Sequence, residues 1–134
     1  MEHLIARVAT ASGIDTAMAE KAIGMILGFL QKEGPAAEVN QLLQAMPGAD
    51  TLIEQAAGAS SGGGGLLGGL MGAASSMMGG GGVMGLGQKL MAEGLDMGQM
   101  SAIGRELFAA GREQAGEDAM GSIIGSIPGL SQFV

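Results

Sequence analysis

The chain has no cysteine, tryptophan or tyrosine, and only six of its 134 residues are lysine or arginine. The missing cysteines exclude disulfides, thiolate metal sites and cysteine nucleophiles. Without tryptophan and tyrosine there is almost no platform on which nucleic-acid bases could stack. The formal net charge is -7 and the few basic residues are scattered, so the sequence lacks the footprint that phosphate binding requires. We therefore expect no nucleic-acid partner.

The chain is rich in apolar residues. Hydrophobic residues make up 47% of it, and 12 of its residues are methionine. Methionine packs adaptably, so we expect a core that specifies its geometry loosely. The N-terminal stretch MEHLIARVATASG is short, charged and amphipathic, without the apolar run of a secretory signal. This favours a cytoplasmic location.

A glycine-rich stretch divides the chain, because charges are absent between Glu54 and Lys89 and 14 of the 30 residues from 58 to 87 are glycine. We predict a helical unit at 1–57, a Gly/Met-rich connector at 58–85 that is flexible or partly helical, and a second helical unit at 86–134. A unit of about fifty residues buries too little apolar surface to be stable alone. The units are therefore expected to pack together or with another copy.

Apolar residues in the first unit recur every three or four positions, as on one face of a helix. Gly13 and Gly34–Pro35 predict helix ends, Asp15 or Thr16 offers an N-cap for the second helix, and Asp50 offers one for the fourth. No long stretch alternates like a strand, so the sequence predicts an all-α fold with three to four helices in each unit.

The second unit repeats the first at a spacing of 81 residues without a gap. Residues 13–15 (GID) correspond to 94–96 (GLD), and residues 46–48 (MPG) correspond to 127–129 (IPG). Chance similarity between two amphipathic stretches is the alternative, but the identities fall at helix boundaries with special backbone demands. We therefore favour duplication of one helical unit.

The repeat predicts one shared core. Gly104, Ala109, Ala110, Gly111 and Gly116 would give the second unit a smooth surface for close helix approach. The residues expected to pack between the units are Ile26, Leu27, Phe29, Leu30, Leu42 and Leu43 against Leu86, Leu90, Leu107, Phe108, Ile123 and Ile124.

No catalytic or metal-binding set is evident. His3, the only histidine, stands in the first turn, where a solvated side chain is the ordinary outcome. Glu113, Glu117 and Asp118 cluster at a predicted helix start, which attracts acids through its dipole without a metal. We predict no catalytic, cofactor-binding or metal-binding residues, no cofactor and no enzyme activity.

The stretch GGVMGLGQKL, residues 81–90, has glycines before a lysine, as phosphate-binding loops do. Gln88 separates Gly87 from Lys89 and Leu90 follows, so the required Gly-Lys-Ser/Thr is missing. We interpret it as a linker entering a helix.

The middle segment SSGGGGLLGGLMGAASSMMGGGG, residues 60–82, allows two interpretations. Gly64, Gly68 and Gly72 follow the small-xxx-small pattern of membrane helix pairs, and the uncharged run from Gln55 to Gln88 is long enough to span a bilayer. Eight glycines within 66–85 make the run weakly hydrophobic, which favours a linker. Its apolar residues exceed what a passive tether needs: Leu66, Leu67, Leu70, Met71, Met77 and Met78.

The pattern SGIDTAMAEKAIGMILGFLQKEGPAAEVNQLLQAMPGADTLI, then a Gly/Leu/Met-rich middle, then a second helical unit, resembles uncharacterised bacterial proteins of the VcgC/VcgE type. The resemblance covers most of residues 4–54 and looser parts of 86–134. It implies helical units around a glycine-rich middle and no known activity, so no functional residue carries over. Many such proteins begin with an export signal, whereas this chain begins with a charged amphipathic stretch.

Together these features predict a non-catalytic helical interaction or self-association module that binds a protein partner or a second copy through an apolar, methionine-rich surface. The alternative is a peripheral membrane or envelope-associated protein that inserts the Gly/Leu/Met stretch. A third hypothesis, a small-molecule binder or enzyme with a cavity between the units, has no residue pattern in its favour.

Overall fold

The computed structural model describes residues 2–61, 82–127 and 129–132, and every regular element in these ranges is helical. This confirms the predicted all-α class. The helices are α1 Glu2–Ser12, α2 Thr16–Glu33, α3 Ala36–Ala45, α4 Ala49–Ser61, α5 Gly82–Ala92, α6 Met97–Ala115 and α7 Glu117–Ser126, followed by a 3-10 turn at Leu130–Gln132.

Helices α1 and α5 end in the same way. Each is followed by a glycine with a left-handed backbone, Gly13 (φ 71°) and Gly94 (φ 100°). In each turn the next N–H donates to the carbonyl five residues earlier, as in a Schellman motif, which satisfies a carbonyl left free at the helix end. These bonds run from Ile14 to Ala9 (3.0 Å) and from Leu95 to Leu90 (3.2 Å).

The helices that follow these turns are both capped by an aspartate. The Asp15 carboxylate accepts from the Met18 N–H at 2.8 Å, which begins α2. At the start of α6, Asp96 accepts from the Gln99 N–H at 2.7 Å, and the Gln99 side chain accepts from the Asp96 N–H at 3.0 Å. This reciprocal pair is a capping box.

The prediction that Asp50 caps α4 is wrong. The helix begins one residue earlier, at Ala49, and its first hydrogen bond runs from the Leu52 N–H to the Gly48 carbonyl at 3.2 Å. Gly48 has φ 93°. Because this glycine already turns the chain into the helix, Asp50 lies inside the first turn.

Helices from the N-terminal and C-terminal parts of the chain contact one another. Helix α4 packs along α2, and α1 packs across α6 as well as α2. Helix α5 contacts α2 and α6, and α3 contacts α6 and α7. Gln41 on α3 also donates to the Ala115 carbonyl at 3.2 Å, which satisfies an end carbonyl of α6.

The residues expected in the core lie in or against one hydrophobic cluster. Phe29, Leu86 and Ile124 are partly buried and pack against it, and the other nine are buried. Of the predicted small-residue surface, Gly104, Ala110 and Gly111 are buried, whereas Ala109 and Gly116 are half-buried. A Cβ atom added to Gly111 would stand 2.7 Å from the Met120 sulfur, so this glycine allows α6 and α7 to pack closely.

Candidate interaction surface

Ion pairs join helices that are distant in sequence. Arg7 on α1 pairs with Glu106 at 3.0 Å and Glu113 at 3.3 Å on α6. Its hydrogen bonds with Glu106 and then with Glu113 raise the pKa of Arg7. Lys21 on α2 pairs with Glu93, in the turn before α6, at 2.5 Å. Exposed pairs such as those of Arg7 contribute little stability each, but pairs between distant helices fix which faces of the helices meet.

A shallow apolar cleft lies where α5 meets α2, α6 and the C-terminal 3-10 turn. About 350 Å³ lies between its walls, part of it open to solvent, and the enclosed part holds little more than a water molecule. None of its lining side chains can titrate or donate a hydrogen bond, so it offers no acid–base chemistry. The lining residues are Ile26, Val83, Leu86, Gly87, Leu90, Met100, Gly104, Phe108 and Leu130.

A second side of α5 carries exposed methionines. Met84 is 79% exposed and Met91 is 55% exposed. They stand seven residues apart, which places them on one face of the helix, with the exposed, uncharged Gln88 between them. Met97, the first residue of α6, is 62% exposed. We call Met84, Gln88, Met91 and Met97 the methionine face.

The charged residues considered from sequence do not converge. His3 is exposed on α1, and Glu117 and Asp118 are exposed at the start of α7. Glu113 pairs with Arg7 instead of joining them. In the described parts of the chain, no group of three histidine or acidic side chains is placed to hold a metal ion.

The structure also describes residues 82–90 of the stretch predicted to be a linker entering a helix. Helix α5 starts at Gly82, so Gly87 and Lys89 lie within a helix and not in a loop. The leucines and methionines at 66–78 and Gly64, Gly68 and Gly72 fall outside the described residues. Among the described helices, none combines the length and apolar composition needed to cross a bilayer.

Sequence reasoning placed the excess of apolar side chains in the middle segment and missed the methionine face. The signal was present in α5, which has one apolar row at Val83, Leu86 and Leu90 and another at Met84 and Met91. When a helix is apolar on two sides, both sides are removed from water only if other protein surface packs against each of them. In the described structure only the first row is covered.

Neither the protein-family models nor the curated proteins nor the solved structures gave a match to this chain.

Proposed function

We propose that this protein is a non-catalytic self-association module whose copies meet through the methionine face. The observation that carries the proposal is the exposure of Met84 and Met91 on an uncharged face of α5. Contact between two such faces would remove large thioether side chains from water, which is favourable in proportion to the apolar area buried.

The charge distribution makes α5 the side on which contact with a second copy is least opposed. Two chains that each carry a formal charge of -7 repel one another, so contact is favoured where the surface is neutral or basic. Across α5 the only charged residue is Lys89, which is exposed and positive. A second copy therefore meets no acidic side chain on α5 itself.

The proposal includes the two-unit architecture, with related units at 1–57 and 86–134. Its support is the spacing of 81 residues between the glycine turns Gly13 and Gly94 and between the caps Asp15 and Asp96. Helices α2 and α3 begin at Thr16 and Ala36, and α6 and α7 begin 81 residues later in each case, at 97 and 117.

In this register the exposed positions of the two units differ in chemistry. At a spacing of 81 residues, the positions of His3, Arg7, Thr10 and Thr16 correspond to Met84, just before the second unit, and to Gln88, Met91 and Met97 within it, and all eight are exposed. The same surface is therefore polar in one unit and mainly apolar in the other. Such a difference is typical of a face that acquires a partner in only one of two copies.

The experiment is size-exclusion chromatography with light scattering on the full chain over a range of concentrations. We expect an oligomer that dissociates on dilution. The combined substitution Met84→Gln, Met91→Gln and Met97→Gln keeps helix propensity and side-chain length but removes the apolar face, and should give a monomer with unchanged helical circular dichroism. The matched Leu variant should still associate. A wild-type chain that stays monomeric, or a Gln variant that associates equally well, contradicts the proposal.

The alternative, membrane association through the middle segment, is supported by the uncharged run from Gln55 to Gln88. Flotation with phosphatidylcholine vesicles, with and without phosphatidylglycerol, compares the full chain with one lacking residues 62–81. Flotation of the full chain alone would favour this alternative over self-association.

A further inference from the structure

We infer that Met84, Met91 and Met97 form a modification site for peroxides, and that their conversion to sulfoxides opposes self-association. The second half of this inference rests on the proposed function. The reactivity of the three methionines with peroxides depends only on the structure of the single chain.

Exposure sets two groups of described methionines apart, with Met18 and Met25 intermediate between them. The sulfur-bearing side chains of Met84, Met91 and Met97 are more than half exposed, whereas Met100 is 2% and Met120 is 1% exposed. A peroxide can reach the first group in the folded chain. It can reach the second group only after the helices open, and local opening costs free energy.

The composition leaves methionine as the sulfur-containing target of an oxidant. Cysteine thiolates are the usual two-electron reductants of peroxides in proteins, and this chain has none. Methionine is therefore its only sulfur-containing residue, and among the described residues the three methionines that are more than half exposed belong to the methionine face proposed to bind a second copy.

The chemical step is balanced with hydrogen peroxide as the oxidant. The thioether sulfur attacks one peroxide oxygen, the S–O bond forms and the O–O bond breaks. The sulfur is oxidised by two electrons, each of the two peroxide oxygens is reduced by one, and the second oxygen leaves as water with both hydrogens. The product sulfoxide carries a strong hydrogen-bond acceptor that must give up its water when the face is buried, so association becomes less favourable.

The first experiment exposes the full folded chain to hydrogen peroxide, stops the reaction at intervals and follows each methionine by peptide mass spectrometry. We expect Met84, Met91 and Met97 to be oxidised at least about tenfold faster than Met100 and Met120. The same reaction in guanidinium, where the chain is unfolded, should remove the difference. Equal rates in the folded chain would overturn the inference.

The second experiment measures association of the oxidised chain by light scattering. Oxidation should dissociate the wild-type oligomer, and the variant Met84→Leu, Met91→Leu and Met97→Leu should associate with and without peroxide because leucine is apolar and inert. If that variant dissociates as readily as the wild type, the sensitive residues lie elsewhere and the inference is wrong. If the untreated wild type is a monomer, the proposed function and the switch both fail, and the oxidation rates alone decide the modification site.

Discussion

Gly24 on α2 lies directly against the backbone carbonyl of Leu52 on α4. A Cβ atom on Gly24 would meet the Leu52 carbonyl oxygen, and it would stand 2.8 Å from the carbonyl carbon and 2.9 Å from the Cβ of Ala56. Since real Cβ contacts essentially never fall below 3.0 Å, the two helices keep this distance only with glycine at position 24. The close packing of α2 against α4 therefore requires a residue without a Cβ atom at position 24.

The substitution Gly24→Ala should lower the free energy of unfolding by about 1–3 kcal/mol, because the new methyl group forces backbone atoms apart. The matched control is Gly28→Ala, one turn later on the same helix, where the nearest atom is the Ile53 Cγ2 at 3.6 Å. There the better helix propensity of alanine should leave stability unchanged or raise it by up to about 1 kcal/mol. Urea unfolding followed by circular dichroism tests both. Equal effects would mean that α4 does not pack against α2 as described.

The aspartate caps make a second prediction. Asp15→Ala and Asp96→Ala should each cost about 1 kcal/mol of unfolding free energy, since a helix-end N–H loses its acceptor. Asp50→Ala is the control, because Asp50 lies inside the first turn of α4 and contributes only through the helix dipole, about 0.3 kcal/mol. Thermal unfolding of the three variants measures these losses of unfolding free energy. A loss at Asp50 as large as at Asp15 would contradict the assigned caps.

The helix boundaries were predictable because their causes are local. Gly13 must adopt a left-handed backbone and Asp15 must accept from an N–H three residues later, and both demands are visible within a few residues of sequence. The wrong prediction at Asp50 also concerns neighbouring residues. Gly48 and Asp50 are both credible starts two residues apart, and the hydrogen bond at Gly48 selects the first.

The packing of the helices was less predictable because it depends on distant residues. Gly24 has only a poor helix propensity when the sequence of α2 is considered by itself, and its role appears when Leu52 is brought against it. The exposure of the methionine face also depends on residues that are distant in sequence. The sequence shows two apolar rows on α5, but only the positions of α2 and α6 determine that Leu90 is covered and Met84 is exposed.

The junction between α6 and α7 tests backbone strain without side-chain crowding. Gly116 has φ 98° and a Cβ there would meet nothing within 4 Å. Gly116→Ala should therefore cost about 1–3 kcal/mol through backbone strain alone. Gly121, exposed inside α7 and equally uncrowded, is the control, and Gly121→Ala should raise the unfolding free energy by about 0.5–1 kcal/mol. The signs of the two changes in urea midpoint should be opposite. A stabilising change at Gly116 would show that the turn adopts another conformation.

The ion pairs of Arg7 predict a salt-dependent contact between α1 and α6. Arg7→Gln should lower the urea midpoint at low ionic strength, because Glu106 and Glu113 then face each other without their cation. Added salt screens exposed charges, so the difference from the wild type should shrink as ionic strength rises. Arg105 on α6 is the matched control, since it is exposed and the described residues give it no ion pair. Its change to Gln should alter the midpoint less and show a weaker salt dependence. If the two variants respond to salt in the same way, the effect is one of net charge and not of the α1–α6 contact.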